Sequence, residues 1–395
     1  MITDEIKIPE EFADVCPFSD EEFGVQVAHL VEEPMFRRVV EYAMPGVQYE
    51  AFKAKMLSLK GKDEFQMEIM RPYLETLVGK TTSGLTIGGV DNYEIGKSYT
   101  FISNHRDIVL DACFLNLGLI KEDRPTTEVA IGNNLLIYDW ISILVRLNKS
   151  FIVKRDLTSH QRLEGAMQLS NYVHFAISKK KESVWIAQRE GRAKDSDDRT
   201  QESLLKMLGM GGEEKSFYAR IKELNLLPLS ISYEYDPNDY LKAKEFLMKK
   251  NDDSFKKSQE DDLLSMSTGI TGYKGHVHFE IAPCVSIKLD TISPETGRAE
   301  LLNIIKTEVD NSIHRSYRIY PCNYIAYDLV NATEEYANNG YTTEEKAAFI
   351  EYVDRQLDKV DLEVTEEDRA YMRDMIYMMY SNPLKNKLNV LNVKQ

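Results

Sequence analysis

The segment SNHRDIVLDA, residues 103–112, places a histidine and two aspartates at short spacing. His105 directly follows a β-rich run, Asp107 comes two positions later, and Asp111 comes six positions later. A neutral imidazole can take a proton from an alcohol, and a carboxylate on its second ring nitrogen orients the ring and stabilises the imidazolium. We therefore predict that His105 is a general base, with Asp111 as its partner and Asp107 as the alternative partner.

Two further β-rich runs end in positive charge. The run SFIV, residues 150–153, leads directly into Lys154 and Arg155. The run WIAQ, residues 185–188, leads into a turn that contains Glu190, Gly191, Arg192 and Lys194. Ligand sites of α/β proteins lie at strand ends, where Arg and Lys bind phosphate and glycine permits close approach of the backbone. Two such turns favour a phosphate site, whereas one turn alone would favour solvated loop charges.

Six β-rich runs, separated by helical stretches, must position these side chains. They are SYTFIS, EVAI, SFIV, SVWIAQ, LLPLSISYEY and HVHFEIA, which start at residues 98, 128, 150, 183, 226 and 276. This order predicts an α/β fold with helices on both faces of a sheet. Apolar spacing predicts a helical N-terminal unit over 1–80 and a helical C-terminal appendage over 293–395, around an α/β domain over 81–292. Pro228 suits a strand start or an edge strand.

The composition limits the class of protein. A hydrophobic content of 43% in 395 residues is typical of a globular protein. The net charge of −15 argues against a nucleic-acid partner. The four cysteines form no C-x-x-C pair, so neither a zinc site nor a disulfide framework is indicated. The N-terminus lacks a secretory pattern, and the apolar segment 135–147 is short and contains two charges. We expect a cytoplasmic protein without a transmembrane helix.

Three features have functional interpretations that rank below structural ones. His276, His278 and Glu280 share one strand face and could bind a metal, but a polar outward face is preferred. Cys113, two residues after Asp111, could be a nucleophile, but burial as a small hydrophobic residue is preferred. The Met-rich run AYMRDMIYMMY, residues 370–380, could line an acyl groove, but core packing is preferred.

Four segments, in this order, resemble the glycerol-phosphate acyltransferase superfamily. They are SNHRDIVLDA, SFIVKRD, WIAQREGRAKD and LLPLSISYEY, which start at residues 103, 150, 185 and 226. The family pattern is Asn-His-x4-Asp, a Phe-x-x-Arg block, Glu-Gly with Arg, and an apolar strand with Pro. The segment 128–156 is also similar to the branch that acts on glycerol 3-phosphate and dihydroxyacetone phosphate, where a Gly-x-Asn-Leu run precedes an Arg-containing helix and a Phe-Ile-x-Arg-Arg strand end. The resemblance covers roughly residues 95–290 and implies a mixed α/β sheet covered by helices.

The resemblance implies an O-acyltransferase of phospholipid synthesis that moves a fatty acyl group from acyl-CoA or acyl carrier protein to glycerol 3-phosphate. His105 would deprotonate the acceptor hydroxyl and Asp111 would orient the ring. The other implied roles are phosphate binding by Lys154, Arg155, Arg192 and Lys194 at the Gly191 turn, bracing by Glu190, and an acyl-donor side at Pro228 and Ser230. No metal or further cofactor is implied, and a lipid product implies transient contact with the inner membrane face.

Two departures from the family pattern leave alternatives open. Five residues, not four, separate His105 from Asp111, so Asp107 remains a possible partner. The spacing after Glu-Gly is one residue shorter, so either Arg192 or Lys194 takes the cationic role. The acceptor could instead be lysophosphatidate. Alternatives of another class are a thioester hydrolase and a non-catalytic module that binds a membrane or an acyl carrier.

Overall fold

The computed structural model describes residues 7–155 and 157–392. Residues 1–6 of the predicted N-terminal unit, Asp156 after the first cationic turn, and residues 393–395 lie outside the described residues. In the described part of the chain, five α-helices precede the sheet. They are α1 (Asp20–Leu30), α2 (Pro34–Ala43), α3 (Tyr49–Ser58), α4 (Lys62–Phe65) and α5 (Arg71–Thr81).

Helix α1 shows how the sequence builds these elements. The Ser19 hydroxyl accepts a hydrogen bond from Glu22 N at 3.2 Å, and Ser19 N donates to the Glu22 carboxylate at 2.8 Å. This capping box satisfies backbone donors that the first turn leaves without partners. Phe23, Val27 and Leu30, spaced by four and three, then bury one face of the helix in the N-terminal core.

Seven strands of the described chain form one mixed sheet. They are β1 (Gly84–Gly88), β2 (Thr100–Ser103), β3 (Glu128–Gly132), β4 (Ser150–Val153), β5 (Val184–Ala187), β6 (Leu226–Tyr233) and β7 (His276–Ile281). Their spatial order is β1-β7-β6-β2-β5-β3-β4, and among these pairs only β6 and β7 run antiparallel. The mixed α/β sheet is therefore confirmed, and six of its strands coincide with the predicted runs.

Helices cover both faces of this sheet. Those between the strands are α6 (Leu110–Lys121), α7 (Asp139–Leu147), α8 (Ser159–Phe175), α9 (Glu202–Leu208), α10 (Phe217–Glu223), α11 (Asp239–Asn251) and α12 (Gln259–Thr271). Successive residues alternate between two cores: Ile102 packs with the α8 and α9 residues in one, and Phe101 packs with the α6 residues in the other. The period of two along a buried strand produces this division.

The C-terminal region is helical, as predicted. It contains α13 (Val285–Leu289), α14 (Arg298–Ser316), α15 (Pro321–Asn331), α16 (Thr343–Leu357) and α17 (Glu366–Asn392). Met372, Ile376 and Met379 of the Met-rich run pack in a core with Leu247 of α11 and residues of α15 and α16. The preferred interpretation of this run as core packing is confirmed.

The expectation for Pro228 is wrong, because β6 lies inside the sheet between β2 and β7. Pro228 is the third residue of β6 and stands one position before the first β6–β7 pair, Leu229 with Ile281. Its carbonyl accepts a hydrogen bond from Ala282 N at 2.9 Å. A proline, which lacks an N–H, is tolerated here because the paired ladder with β7 ends at this point.

The domain boundaries at 80/81 and 292/293 stay predictions. The apolar segment 135–147 contributes only the nine-residue helix α7. Within residues 7–155 and 157–392, no helix has the length and apolar character needed to cross a membrane.

Candidate functional site

The turn between β2 and α6 holds His105 against Asp111. His105 Nδ1 lies 2.7 Å from Oδ2 of Asp111, the second residue of α6, whose side chain is fully buried. The same oxygen accepts the backbone N–H groups of Arg106 at 2.6 Å and Asp107 at 3.1 Å. The turn thus wraps around one carboxylate oxygen, and the five-residue spacing needs no bulge in the helix.

Asp107 occupies a different position in the same turn. Its Oδ1 accepts the N–H groups of Val109 at 2.9 Å and Leu110 at 2.8 Å, so it caps the first turn of α6. Burial, and then the negative charge of Asp111, raise the pKa of the Asp107 carboxyl. The structure therefore brings Asp111, and not Asp107, to the imidazole ring.

The other ring nitrogen of His105 is available for chemistry. A carboxylate accepts hydrogen bonds, so the contact with Asp111 places the proton on Nδ1 and leaves the lone pair on Nε2. The edge of the ring packs on Trp185, with centroids 5.7 Å apart, and Trp185 Nε1 donates to the Ser103 hydroxyl at 3.0 Å. His105 lines a cavity of about 1120 Å³. This geometry is compatible with a general base at the wall of the cavity.

Two neighbours of His105 fix the turn to distant parts of the fold. Asn104 is fully buried and exchanges two hydrogen bonds with the backbone of Ile231 in β6, at 2.9 and 2.8 Å. Arg106 makes a two-pronged ion pair with Asp198, at 2.7 and 3.3 Å, and the Tyr317 hydroxyl donates to the same carboxylate at 2.5 Å. Sequence reasoning missed these residues, although polar residues beside a strand end are a usable signal.

A first group of the residues that line the cavity is apolar. It includes Leu74 of α5, Val109 before α6, Leu117 of α6, and Trp140 and Leu144 of α7. Val39 of helix α2 lines the cavity with them, and we call this apolar group the apolar arm. The apolar arm is suited to an alkyl chain, since burial of such a chain is favourable by about 0.8 kcal/mol per methylene.

A second group of lining residues is basic, and we call it the basic arm. Among the described residues that line it, the basic side chains include Lys154, Arg155, Arg189, Arg192, Lys194 and Lys257, whereas the acids are Glu190 and Asp262. The predicted cationic residues of both strand ends therefore reach one cavity. In a chain with a net charge of −15, this concentration of positive charge indicates an anionic ligand.

Arg155 is positioned by the end of β3. Its backbone N donates to the Asn133 side chain at 2.8 Å, and its guanidinium lies so close to Gly132 that a Cβ there would meet Nε at 2.7 Å. Glu190 lies 3.7 Å from the Arg155 guanidinium. Gly191 has a φ of +70°, which favours glycine at this turn.

Two of the predicted cations also form ion pairs, and the two residues predicted for the acyl-donor side lie outside the cavity lining. Lys154 pairs with Asp14 at 2.5 Å, and Lys194 pairs with Glu245 of α11. Pro228 and Ser230 are buried in β6, and neither belongs to the described residues that line the cavity.

Cys113 lines the cavity as well. Burial, followed by the negative charges of Asp107 and Asp111, raises the pKa of its thiol to about 12. Because the thiolate is the nucleophilic form, the thiol is inert at neutral pH. The structure favours the interpretation of Cys113 as a packing residue.

The strand face with His276, His278 and Glu280 is internally paired. His278 bonds Glu280 at 3.0 Å and the Thr86 hydroxyl of β1 at 2.8 Å, while His276 bonds the Tyr320 hydroxyl at 3.0 Å. In the described part of the chain, no group of three or more His, Cys, Asp or Glu is arranged to hold a metal ion. These contacts support the interpretation as a polar face.

A helical insertion between β6 and β7, residues 234–275, packs against the turn between β2 and α6. Gly269 of α12 is buried, and a Cβ at this position would meet Asp107 Oδ2 at 2.0 Å and Asn238 Nδ2 at 3.2 Å. The insertion also brings Met266 and Ile270 to the cavity. This contact was not predicted, because residues 107 and 269 are far apart in the sequence.

Gly269→Ala is expected to lower the free energy of unfolding by about 1–3 kcal/mol, because the added methyl group must displace the Asp107 carboxylate that caps α6. Urea titration followed by circular dichroism measures this change. Gly24→Ala is the matched control: Gly24 lies in α1 with nothing within 4 Å of its Cβ position, so alanine there is expected to stabilise by up to about 1 kcal/mol. Equal effects of the two substitutions would contradict the close contact.

Comparisons with known proteins add little to this geometry. No protein-family model matches the chain, and no curated protein matches its sequence. Among solved structures, the chain is similar to the 1-acyl-sn-glycerophosphate (LPA) acyltransferase PlsC from Thermotoga maritima, with 12% identity over 74% of this chain and 95% of that chain and a TM-score of 0.35. A likeness at this level supports no conclusion about function.

Proposed function

We propose that the chain is an O-acyltransferase that moves a fatty acyl group from a thioester to a hydroxyl of glycerol 3-phosphate. The observation that carries this proposal is a His–Asp dyad whose histidine lines the same cavity as the apolar arm and the basic arm. An alkyl chain, a phosphate and a base within one cavity match the three parts of this reaction. The proposed donors are acyl-CoA and acyl carrier protein, and the proposed context is phospholipid synthesis.

The proposed reaction uses His105 twice. Nε2 takes the proton of the acceptor hydroxyl while its oxygen attacks the thioester carbonyl, and Asp111 stabilises the resulting imidazolium. The C–S bond breaks when the tetrahedral intermediate collapses, and the imidazolium returns the proton to the thiolate. One ester and one free thiol result, and the reaction needs neither a metal nor a covalent acyl-enzyme.

The acceptor phosphate is proposed to lie against Arg155, Lys154 and Arg192. Arg155 is rigidly placed against Gly132 and is only loosely paired with Glu190. Nη1 of Arg192 is buried and has no hydrogen-bond partner within the described residues. Charge-assisted hydrogen bonds from such groups to phosphate are about twice as strong as neutral ones.

Contact with the cytoplasmic face of a membrane is part of the proposal. Met35, Val39 and Tyr42 form one exposed face of α2, where Tyr42 is 79% exposed. Val39 also lines the apolar arm, so this face adjoins the space proposed for the acyl chain. An apolar helix face of this kind can enter the lipid headgroup region and allow a lipid product to leave.

The test is release of free thiol from a long-chain acyl thioester by the purified protein, with glycerol 3-phosphate, with lysophosphatidate, or with no acceptor. Release that depends on glycerol 3-phosphate supports the proposal, and release that depends on lysophosphatidate reassigns the acceptor. Release at the same rate without an acceptor indicates a thioester hydrolase. No release with acyl-CoA or acyl carrier protein would overturn the acyltransferase and leave a binding module.

A further inference from the structure

A second group of cations meets the cavity at the β6–β7 insertion. Lys194 after β5, Lys249 of α11 and Lys257 before α12 surround Glu245, and we call these four residues the insertion cluster. Lys249 Nζ lies 2.9 Å and Lys257 Nζ 3.9 Å from the Glu245 carboxylate, which Lys194 also contacts. Lys257 lies 3.4 Å from Asp262 as well. With all three lysines protonated, the carboxylates of Glu245 and Asp262 leave one positive charge without a partner in these ion pairs.

Repulsion among neighbouring cations contributes to lowered pKa values of two of the lysines. Burial, and then the charges of Lys249, Lys257 and Arg192, lower the pKa of Lys194 to about 7. Burial, and then the charge of Arg192, lower the pKa of Lys257. An anion bound among these groups would stabilise their protonated forms, and perturbed lysines in a cavity are typical of ligand sites.

The insertion cluster adjoins the cations proposed for the acceptor phosphate, because the charge of Arg192 lowers the pKa of both Lys194 and Lys257. The turn after β5 joins the two groups, since Glu190 lies near Arg155 of the β4 end whereas Lys194 contacts Glu245 of α11. Glycerol 3-phosphate carries one phosphate, which the β4 side can neutralise. The charge at the insertion therefore calls for a second anionic group.

The exposure of the cluster indicates where that group comes from. The side chains of Lys257, Lys194 and Lys249 are 21%, 28% and 50% exposed, so the cluster extends from the cavity to the protein surface. An acyl donor must approach in this way, because its thioester enters the cavity while its bulky carrier stays outside. Coenzyme A and acyl carrier protein share a phosphopantetheine arm, whose phosphate lies between these two ends.

Resting on the proposed function, we infer that the insertion cluster is a second anion-binding subsite that takes the phosphate of the donor's phosphopantetheine arm. The helical insertion, together with Lys194, then determines donor recognition, while Arg155 and Arg192 hold the acceptor. A donor without this phosphate would lose its contact with Lys257 and Lys194 and nothing else in the site.

Direct binding of two probes tests the inference, because 4′-phosphopantetheine and pantetheine differ by one phosphate. In isothermal titration calorimetry, the wild-type protein is expected to bind the phosphorylated probe about tenfold more tightly. Lys257→Gln, which keeps a hydrogen-bonding group but removes the charge, is expected to abolish this preference. Lys256→Gln is the matched control, since Lys256 is exposed and adjacent in sequence, and it is expected to retain the preference.

The outcomes separate this inference from the proposed function. No preference in the wild-type protein, or a preference that Lys257→Gln leaves intact, would overturn the subsite. An increased KM for glycerol 3-phosphate in Lys257→Gln, with the KM for acyl-CoA unchanged, would assign the cluster to the acceptor instead. Failure of the acyltransferase proposal is detected by a different experiment. In that case the wild-type protein shows no acceptor-dependent thiol release.

Discussion

His105→Ala is expected to lower acceptor-dependent thiol release by about 10²–10⁴-fold, the usual contribution of a general base. In the structure, only Nε2 of this ring is free to face the cavity, because Nδ1 is bound to Asp111 at 2.7 Å. Alanine removes the proton acceptor without touching the apolar arm or the basic arm. The loss should therefore appear in kcat, with little change in the KM of either substrate.

His29→Ala provides the matched control for this substitution. His29 lies in helix α1 and is absent from the described residues that line the cavity, so its removal should leave the rate within about twofold of the wild type. Thermal unfolding of both variants shows whether a loss of rate reflects chemistry or folding. Retention of the wild-type rate by His105→Ala would sink the general-base mechanism while leaving the cavity as a binding site.

The sequence predicted the sheet well because buried strands leave a local signal. Six apolar, β-branched runs coincide with β2 to β7, and their order was sufficient for the fold class. Strand β1, GLTIG, was missed because two of its five residues are glycines and its apolar run is short. Pro228 was assigned wrongly because the motif alone does not show that the pairing of β6 with β7 begins at Leu229, one residue after the proline.

The site was predictable where it depends on residues close in sequence. His105 and its two candidate aspartates lie within seven residues, and the charges that follow two β-rich runs identified Arg155 and Arg192. The choice between Asp111 and Asp107 was not predictable. It depends on where α6 begins: Asp107 lies before the helix and accepts the N–H of Leu110, whereas Asp111 is the second helical residue and contacts the ring.

Contacts between distant segments lay beyond sequence reasoning. Arg106 pairs with Asp198, 92 positions away in the sequence, and Gly269 contacts Asp107, more than 160 positions away. Local spacing of residues therefore predicts neither contact. The segment NDDSFKKSQEDD, residues 251–262, has the composition of a solvated loop, yet it brings Lys257 to the cavity. The presence of a lysine in a charged segment does not show whether its side chain lies on the surface or lines a cavity.

Substitution of each aspartate by asparagine tests how the two carboxylates divide their roles. Asp111→Asn is expected to lower kcat by about 10²-fold or more, because a neutral amide cannot stabilise the imidazolium and can present a donor to Nδ1. Asp107→Asn is expected to lower kcat by less than about tenfold. Its amide oxygen can still accept the N–H groups of Val109 and Leu110, so the first turn of α6 keeps its cap.

The two variants form a matched pair, since each replaces a buried carboxylate in the same turn by an amide of the same shape. Acceptor-dependent thiol release gives kcat, and thermal unfolding shows whether the turn remains intact. A larger loss in Asp107→Asn than in Asp111→Asn would reverse the assignment and make Asp107 the partner of His105. Equal and small losses would mean that the imidazole works without a carboxylate, so that the 2.7 Å contact serves only to place the ring.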